Sequence, residues 1–162
     1  MAIESLDELD IIVQRLIQQV SRIDAIIKAN QGETRPTGLY GTYNIIPVRA
    51  YGQPSHEIDS ENVESTISAL EVMVSCNFFN NGARDCAMRM YNANHREPIA
   101  NYLFANGLGW RQSSQARNLT AQEQGVIQQR YQVDLDLFVE TMIHDTILIA
   151  QGVTIQLFHE DE

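Results

Sequence analysis

The alternation of apolar and polar side chains is clearest between Arg130 and Glu140. In this stretch, RYQVDLDLFVE, one side of an extended chain is apolar and the other is charged or polar, with Phe138 out of order. A period of two is typical of a β-strand with one buried face. The pattern can be followed over residues 127–143, which would span about 55 Å, more than a lone domain of this size can cover. We therefore predict that part of this strand projects from its own domain.

The N-terminal segment has the pattern of an amphipathic helix. Ser5 and Glu8 have the spacing of a capping box. Apolar residues then recur at steps of four and three, at Leu9, Val13, Leu16, Val20, Ile23 and Ile27. We predict a helix over residues 6–29 that packs on a sheet. A coiled coil is the alternative, but the segment has under four heptads and Gly and Pro follow it.

The rest of the chain predicts further strands, two short helices and loops. We expect strands over residues 39–52, where Pro47 interrupts the strand or places it at an edge, and over 66–78, 110–120 and 152–158. We expect short helices within 80–94 and 97–109, a polar loop over 53–62, a turn over 121–125 and a frayed acidic tail over 159–162. The prediction is one α+β domain over residues 1–162. A largely antiparallel sheet of about four to five strands would be packed by the long helix and the short helical pair.

Charge is distributed unevenly along the 162 residues, whose net charge is −10. Residues 57–71 hold five acids and no base, and residues from 134 onward hold seven acids and no base. Five arginines stand against two acids over residues 84–117. The net charge argues against a protein whose function is to bind the phosphate groups of nucleic acids, since that requires a basic surface. These segments are either solvated faces or an arginine-bearing surface that meets an acidic surface on a neighbouring copy.

The sequence contains no recognisable catalytic or metal-binding pattern. Its histidines are scattered, without HxxxH or HExxH spacing. Cys76 and Cys86 are ten residues apart and are predicted to be reduced and buried. Asp134 and Asp136 share one strand face, which would suit a cation or an acid/base pair, but alternate acids on a solvated strand have the same pattern. We predict no enzyme activity, cofactor or metal.

Membrane insertion and secretion are not expected. No apolar run approaches the ~20 residues that a membrane span needs. The first ten residues, MAIESLDELD, are acidic, unlike a secretory signal.

Five segments carry a resemblance to a known family. In order, they are RPTGLYGTYNI, FNNGARDCAMRM, PIANYLFANGLGW, RNLT and VDLDLFV. Their order and spacing around a long initial helix resemble the neck or tail-terminator proteins of long-tailed bacteriophages over residues 35–139. The segment from Thr141 onward matches less well, and sister rings of the phage neck share much of the fold.

The resemblance implies a structural virion protein made in the cytoplasm of the host bacterium. Such proteins form a homo-oligomeric ring, commonly a hexamer, that caps the tail tube and ends its polymerisation. The ring joins the tail to the head-tail connector proteins, can meet the sheath, and passes DNA through a central channel without sequence-specific binding. The family implies no catalytic residues. The alternatives are a head-side connector or completion ring, and a small soluble adaptor that docks through its amphipathic helix.

Within this hypothesis, charged residues are candidates for the ring's subunit seam or its lumen. The candidates are Arg84, Arg89, Arg96, Asp134, Asp136 and Glu140, with the acids of residues 57–71 as a further set. We expect charge reversal at the arginines to weaken ring assembly and to leave folding of the monomer intact.

Overall fold

The structure, a computed structural model, describes residues 2–32, 34–59, 61–123 and 125–146. The helices are α1 (Leu6–Ser21), α2 (Ala83–Tyr91) and α3 (Glu97–Ala105), with a 3-10 turn at Ala93–His95. The long strands are β2 (Tyr40–Ile58), β3 (Val63–Phe79) and β8 (Arg130–Thr146). The short strands are β1 (Ile26–Lys28), β4 (Leu108–Ser113), β5 (Arg117–Asn118), β6 (Ala121–Glu123) and β7 (Val126–Gln128).

The fold is α+β, as predicted. In the described part of the chain the main sheet has six strands in the order β1-β2-β3-β8-β4, with β5 also on β8, and β6 and β7 form a separate hairpin. Every pair is antiparallel except β1 with β2. A largely antiparallel sheet is therefore confirmed, with slightly more strands than expected.

The long strand predicted from the sequence is present as β8, but it does not project by itself. β8 has 17 residues and pairs with β3 along its whole length, from Arg130 opposite Phe79 to Thr146 opposite Val63. β2, at 19 residues, pairs with the other edge of β3. The strand begins and ends three residues later than its sequence pattern indicated. Three long strands thus extend together, which is how the chain satisfies the backbone hydrogen bonds of β8.

The two faces of the sheet differ in what covers them. The face that we call the helix face packs against α1, α2 and α3, and its core includes Val72, Val74, Cys76, Phe78, Val133, Leu135, Leu137 and Val139, all at most 1% exposed. The opposite face, which we call the open face, carries the alternate residues of these strands. These run from Glu71 to Phe79 on β3, from Arg130 to Glu140 on β8, and from Tyr40 to Ile46 on β2. This division explains the period of two in β3 and β8.

Helix α1 ends earlier than predicted. Its start is confirmed, because the Ser5 hydroxyl accepts a hydrogen bond from the Glu8 amide at 3.1 Å. The helix ends at Ser21, because Arg22 adopts a left-handed conformation with φ of 64° and its amide bonds the Gln18 carbonyl. Apolar residues continue past this point because Ile23 packs against the core and the next segment, β1, is an edge strand whose first residue, Ile26, is buried. There it packs on Gly41, where a Cβ would lie 2.8 Å from the Ile26 Cδ1 atom.

The polar loop predicted over residues 53–62 is wrong for most of its length. β2 continues to Ile58, and the turn that follows is held by Asp59, whose carboxylate accepts hydrogen bonds from the Glu61 and Val63 amides at 2.8 and 3.0 Å. Pro54 lies in an irregularity of the β2–β3 ladder, between Tyr51 and Ser55. Polar composition misled the prediction because both faces of this part of β2 are in water.

The other elements agree more closely. Pro47 lies beside a bulge, on the part of β2 that extends beyond β1, and Pro98 lies in the first turn of α3. Residues 110–120 hold most of β4 and all of β5, whereas the turn expected at 121–125 belongs to the β6–β7 hairpin. The strand predicted over 152–158 and the tail over 159–162 lie outside the described residues.

Candidate functional site

The three long strands extend away from the helices as an arm, which we define as residues 46–58 of β2, 63–70 of β3 and 140–146 of β8. Every described residue of β2 from 46 to 58 is exposed, so burial no longer alternates along the strand. Large apolar side chains on the arm are between 38 and 60% exposed: Ile46, Val48, Tyr51, Ile58 and Ile143. By the strand register Ile46 and Tyr51 lie on the open face and Ile58 and Ile143 on the other, so the arm exposes large apolar side chains on both of its faces. A projecting element of this kind favours contact with another protein.

The tip of the arm is acidic. Glu57, Asp59 and Glu61 are exposed there, next to the β2–β3 turn. Glu64 lies 3.1 Å from the His56 imidazole, which also contacts the Thr66 hydroxyl. The acids of residues 57–64 therefore lie together at one end of the molecule.

Asp134 and Asp136 lie on the open face, and both have partners inside their own chain. The Asp134 carboxylate pairs with Arg117 and accepts hydrogen bonds from the Ser75 hydroxyl at 2.8 Å and the Gln132 amide at 3.0 Å. Asp136 accepts a hydrogen bond from Gln112 at 2.6 Å. These acids tie β8 to β3, β4 and β5, and they do not present two bare carboxylates to a lumen.

Glu140 differs from these two acids. It is exposed at the base of the arm, where its backbone carbonyl accepts the Ile3 amide at 2.6 Å. Within the described residues its carboxylate has neither a hydrogen bond nor an ion pair. Its charge is therefore available to a neighbouring molecule.

The three candidate arginines lie on the helix side of the sheet and have different environments. Arg89 donates a hydrogen bond to the Ser21 carbonyl at 2.7 Å, and Arg96 approaches the Val20 carbonyl at 3.5 Å. These carbonyls belong to the last turn of α1, which has no basic residue of its own, so the two guanidinium groups compensate the negative end of the helix dipole. Arg84 is exposed and, among the described residues, forms no hydrogen bond or ion pair.

For Arg89 we therefore revise the expectation that charge reversal leaves folding intact, and we expect a loss of stability instead. A carboxylate at that position would face the backbone carbonyl of Ser21, and Ser21 is fully buried. Arg96 contacts the same helix end more weakly. Arg84 is the member of the set that tests a subunit seam without disturbing the fold.

A buried acid on the open face was missed by the sequence analysis, which counted Glu71 in an acidic run. Glu71 is 2% exposed. Its carboxylate accepts a hydrogen bond from the Arg49 Nε atom at 2.7 Å and pairs with Arg111, which lies in a bulge of β4. Arg49 also lies 5.3 Å from the centre of the Tyr51 ring, which meets Phe138 edge to face. The cluster joins β2, β3, β4 and β8 where the arm begins.

Protonation of Glu71 should weaken this cluster. The hydrogen bond from Arg49, with the charges of Arg111 and Arg49, lowers the pKa of Glu71 below its ordinary value of 4.5. Because folding lowers the pKa of Glu71, its ionised carboxylate stabilises the folded state above the pKa of the unfolded chain. This stabilisation is lost as pH falls through the pKa of the folded state. We expect Glu71→Gln to unfold at lower urea concentration than the parent chain at pH 7. The gap should close as pH falls below about 4.5, and a gap independent of pH would contradict this account.

The two thiols are buried, and the acids and histidines of the described residues are too dispersed to form a metal site. Cys76 and Cys86 are free and buried, as predicted, and burial raises the pKa of both thiols, which disfavours the thiolate that a nucleophile needs. No group of three His, Cys, Asp or Glu residues is placed to hold a metal ion within the described ranges. None of the described helices has the length and apolar character needed to cross a membrane.

No curated protein matches the chain. Among solved structures, it is similar to the sheath/tube terminator of an extracellular contractile injection system, PVC, in the extended state. The identity is 11% and the TM-score 0.34, over 98% of this chain and 66% of that chain. A TM-score this low does not establish a common fold.

The family comparison is more specific. A family model described as phage neck terminator protein matches residues 7–162. The match includes the arm, the open face, the three helices and the residues beyond Thr146. The chain belongs to the phage neck terminator family.

Proposed function

We propose that the chain forms a homo-oligomeric ring, with a hexamer as the expected form, that caps the tail tube and ends its polymerisation. Membership of the terminator family gives the chain a structural role at the phage tail and a place in the virion. The ring, its contacts with the sheath and the head-tail connector proteins, and the passage of DNA are our proposal. We assign the chain no enzymatic activity.

The single observation that carries this proposal is the exposed apolar arm. A ring of identical subunits needs two different patches on each subunit that fit each other. The arm supplies one patch, with exposed side chains such as Val48, Tyr51 and Ile143. The helix side, with the unpaired Arg84, supplies a chemically different one. Burying the arm against the next copy would remove its apolar surface from water, which is favourable at about 25 cal/mol per Å².

The distribution of acids supports a channel that does not bind DNA. In a ring, the acidic arm tip and Glu140 are better placed to repel phosphate than Asp134, whose charge is compensated by Arg117, or Asp136, whose carboxylate is hydrogen-bonded to Gln112. Like charge along a channel disfavours adhesion of the DNA backbone. We therefore assign the lumen to the arm tip, residues 57–64.

Tail length is the measurement that tests the proposal. In a phage whose copy of this gene is interrupted by an amber codon, we expect tail tubes of uncontrolled length that are not joined to heads. Supplying the wild-type chain from a plasmid should restore a single tail length and infectivity. Tails of normal length that fail to attach to heads would favour a head-side connector or completion ring. Normal particles that lack the chain would favour the adaptor alternative.

A further inference from the structure

A groove lies on the open face at the end of the sheet opposite the arm. Its volume is about 500 Å³. Its floor is formed by the first residues of β2, the last residues of β3 and the first residues of β8, and its walls come from residues 27–32 and the β6–β7 hairpin. The Tyr40 and Phe79 rings stack on the floor with centroids 4.7 Å apart.

The described lining of the groove carries basic side chains, although the chain as a whole is acidic. Lys28, Arg35 and Arg130 line it, and none of the described lining residues is Asp or Glu. Lys28 is already paired with Asp10. The Arg130 guanidinium lies over the Phe79 ring and donates two hydrogen bonds, at 3.1 and 3.0 Å, to the side-chain amide oxygen of Asn77. Within the described residues it meets no carboxylate, so its positive charge is available to a ligand.

The polar lining suits a peptide backbone. Amide side chains offer both donors and acceptors, and those that line the groove are Asn30, Gln31, Asn44, Asn77, Gln128 and Gln132. A few cations surrounded by amides form a poor site for DNA, which is held by many phosphate contacts on a basic surface. The features fit an extended peptide that carries carboxylates.

The sequence of this chain contains such a peptide. Residues 153–157, VTIQL, alternate apolar and polar side chains, and Glu160, Asp161 and Glu162 lie shortly after them. This segment begins beyond Thr146, at the arm end of β8, whereas the groove lies at the Arg130 end. β8 spans about 53 Å between these residues, and the 14 residues from Thr146 to Glu160 reach at most about 50 Å. The chain's own tail would have to reverse direction and then remain fully extended, so a neighbouring copy is the better source.

We propose that the groove binds the acidic segment, residues 153–162, of an adjacent copy. Arg130 pairs with a carboxylate of Glu160, Asp161 or Glu162, and the amide side chains bond the peptide backbone. The inference rests on the proposed ring, because the ring supplies the neighbour. It adds a second link between copies, at the end of the sheet away from the arm.

Peptide binding tests this proposal separately from the ring. The receptor is the full chain with its own tail neutralised (Glu160→Gln, Asp161→Asn, Glu162→Gln), so that the groove is free. The probe is a fluorescein-labelled peptide of residues 152–162, followed by fluorescence anisotropy at low ionic strength. We expect saturable binding that Arg130→Gln weakens about tenfold, the loss of one charge-assisted hydrogen bond. Arg15→Gln, the same change on the exposed side of α1, should have no effect.

A second measurement keeps the test valid if Arg130→Gln folds poorly. A peptide with the same three neutral substitutions should bind the tail-neutralised receptor that keeps Arg130 at least tenfold more weakly than the acidic peptide does. Equal binding of the two peptides, or no binding, overturns the proposal. Binding of a single-stranded DNA oligonucleotide that depends on Arg130, without binding of the peptide, also overturns it and assigns the groove to phosphate. Such a failure, with tail length still controlled by the chain, leaves the proposed function standing.

Discussion

Replacing Phe78 by alanine is expected to lower the free energy of unfolding by about 3–5 kcal/mol. Phe78 is fully buried at the end of β3, and its ring lies 3.0 Å from the position that a Cβ on Gly41 would occupy. The ring, together with the Ile26 side chain, fills the space that Gly41 leaves in β2, and its removal would leave a cavity in the core. Urea unfolding followed by the fluorescence of Trp110 measures the loss, and a fall of roughly 10 °C or more in Tm should accompany it.

Phe104→Ala is the matched control, because it removes the same side chain from α3, where Phe104 is 87% exposed. We expect its free energy of unfolding to change by no more than about 0.5 kcal/mol. Similar losses in the two variants would mean that the ring of Phe104 is buried or that Phe78 is not in the core. Either result would contradict the packing described for the helix face.

Reversing the charge at Arg89 should produce the second large effect, a loss of about 2–3 kcal/mol in the free energy of unfolding. Arg89→Glu removes a charged donor from the Ser21 carbonyl. It also places a carboxylate against the negative end of α1. Chemical denaturation of the isolated chain measures this effect before any assembly is considered.

Arg84→Glu makes the same change five residues earlier on α2, at an exposed side chain. We expect its unfolding midpoint to match that of the parent chain, while its assembly on tail tubes, counted in electron micrographs, is weakened. If Arg84→Glu caps tubes as well as the parent chain, Arg84 does not lie in a subunit seam. If Arg89→Glu is as stable as the parent chain, the guanidinium group is not needed at the end of α1.

The sequence predicted the parts of the fold in which one face of an element is buried. β3 and β8 alternate because Val74 and Leu135 enter the core while Ser75 and Asp134 stay on the open face. The outer half of β2 has both faces in water, so no period marks it and its polar residues resembled a loop. The end of α1 was not predicted either, because Ile23 and Ile27 keep the helical spacing although Ile27 lies in the edge strand β1.

The partners of the charged residues could not be predicted from the sequence, because these contacts join parts of the chain that are far apart in it. Glu71 meets Arg49 and Arg111, which are 22 and 40 residues away in the sequence. Arg89 meets Ser21 at a separation of 68 residues. Composition shows how many charges a segment carries, but pairing depends on sheet register. Among the candidates, Arg84 and Glu140 are the two whose charged groups form neither an ion pair nor a hydrogen bond within the described residues.

Cryo-electron microscopy of intact particles, with the density of this chain identified, tests the central claim most directly. Our account predicts several copies arranged as a closed ring at the head-proximal end of the tail tube, with the arm of each copy against its neighbour and the acidic arm tips toward the channel. A solitary copy, or a location away from the end of the tube, would contradict it.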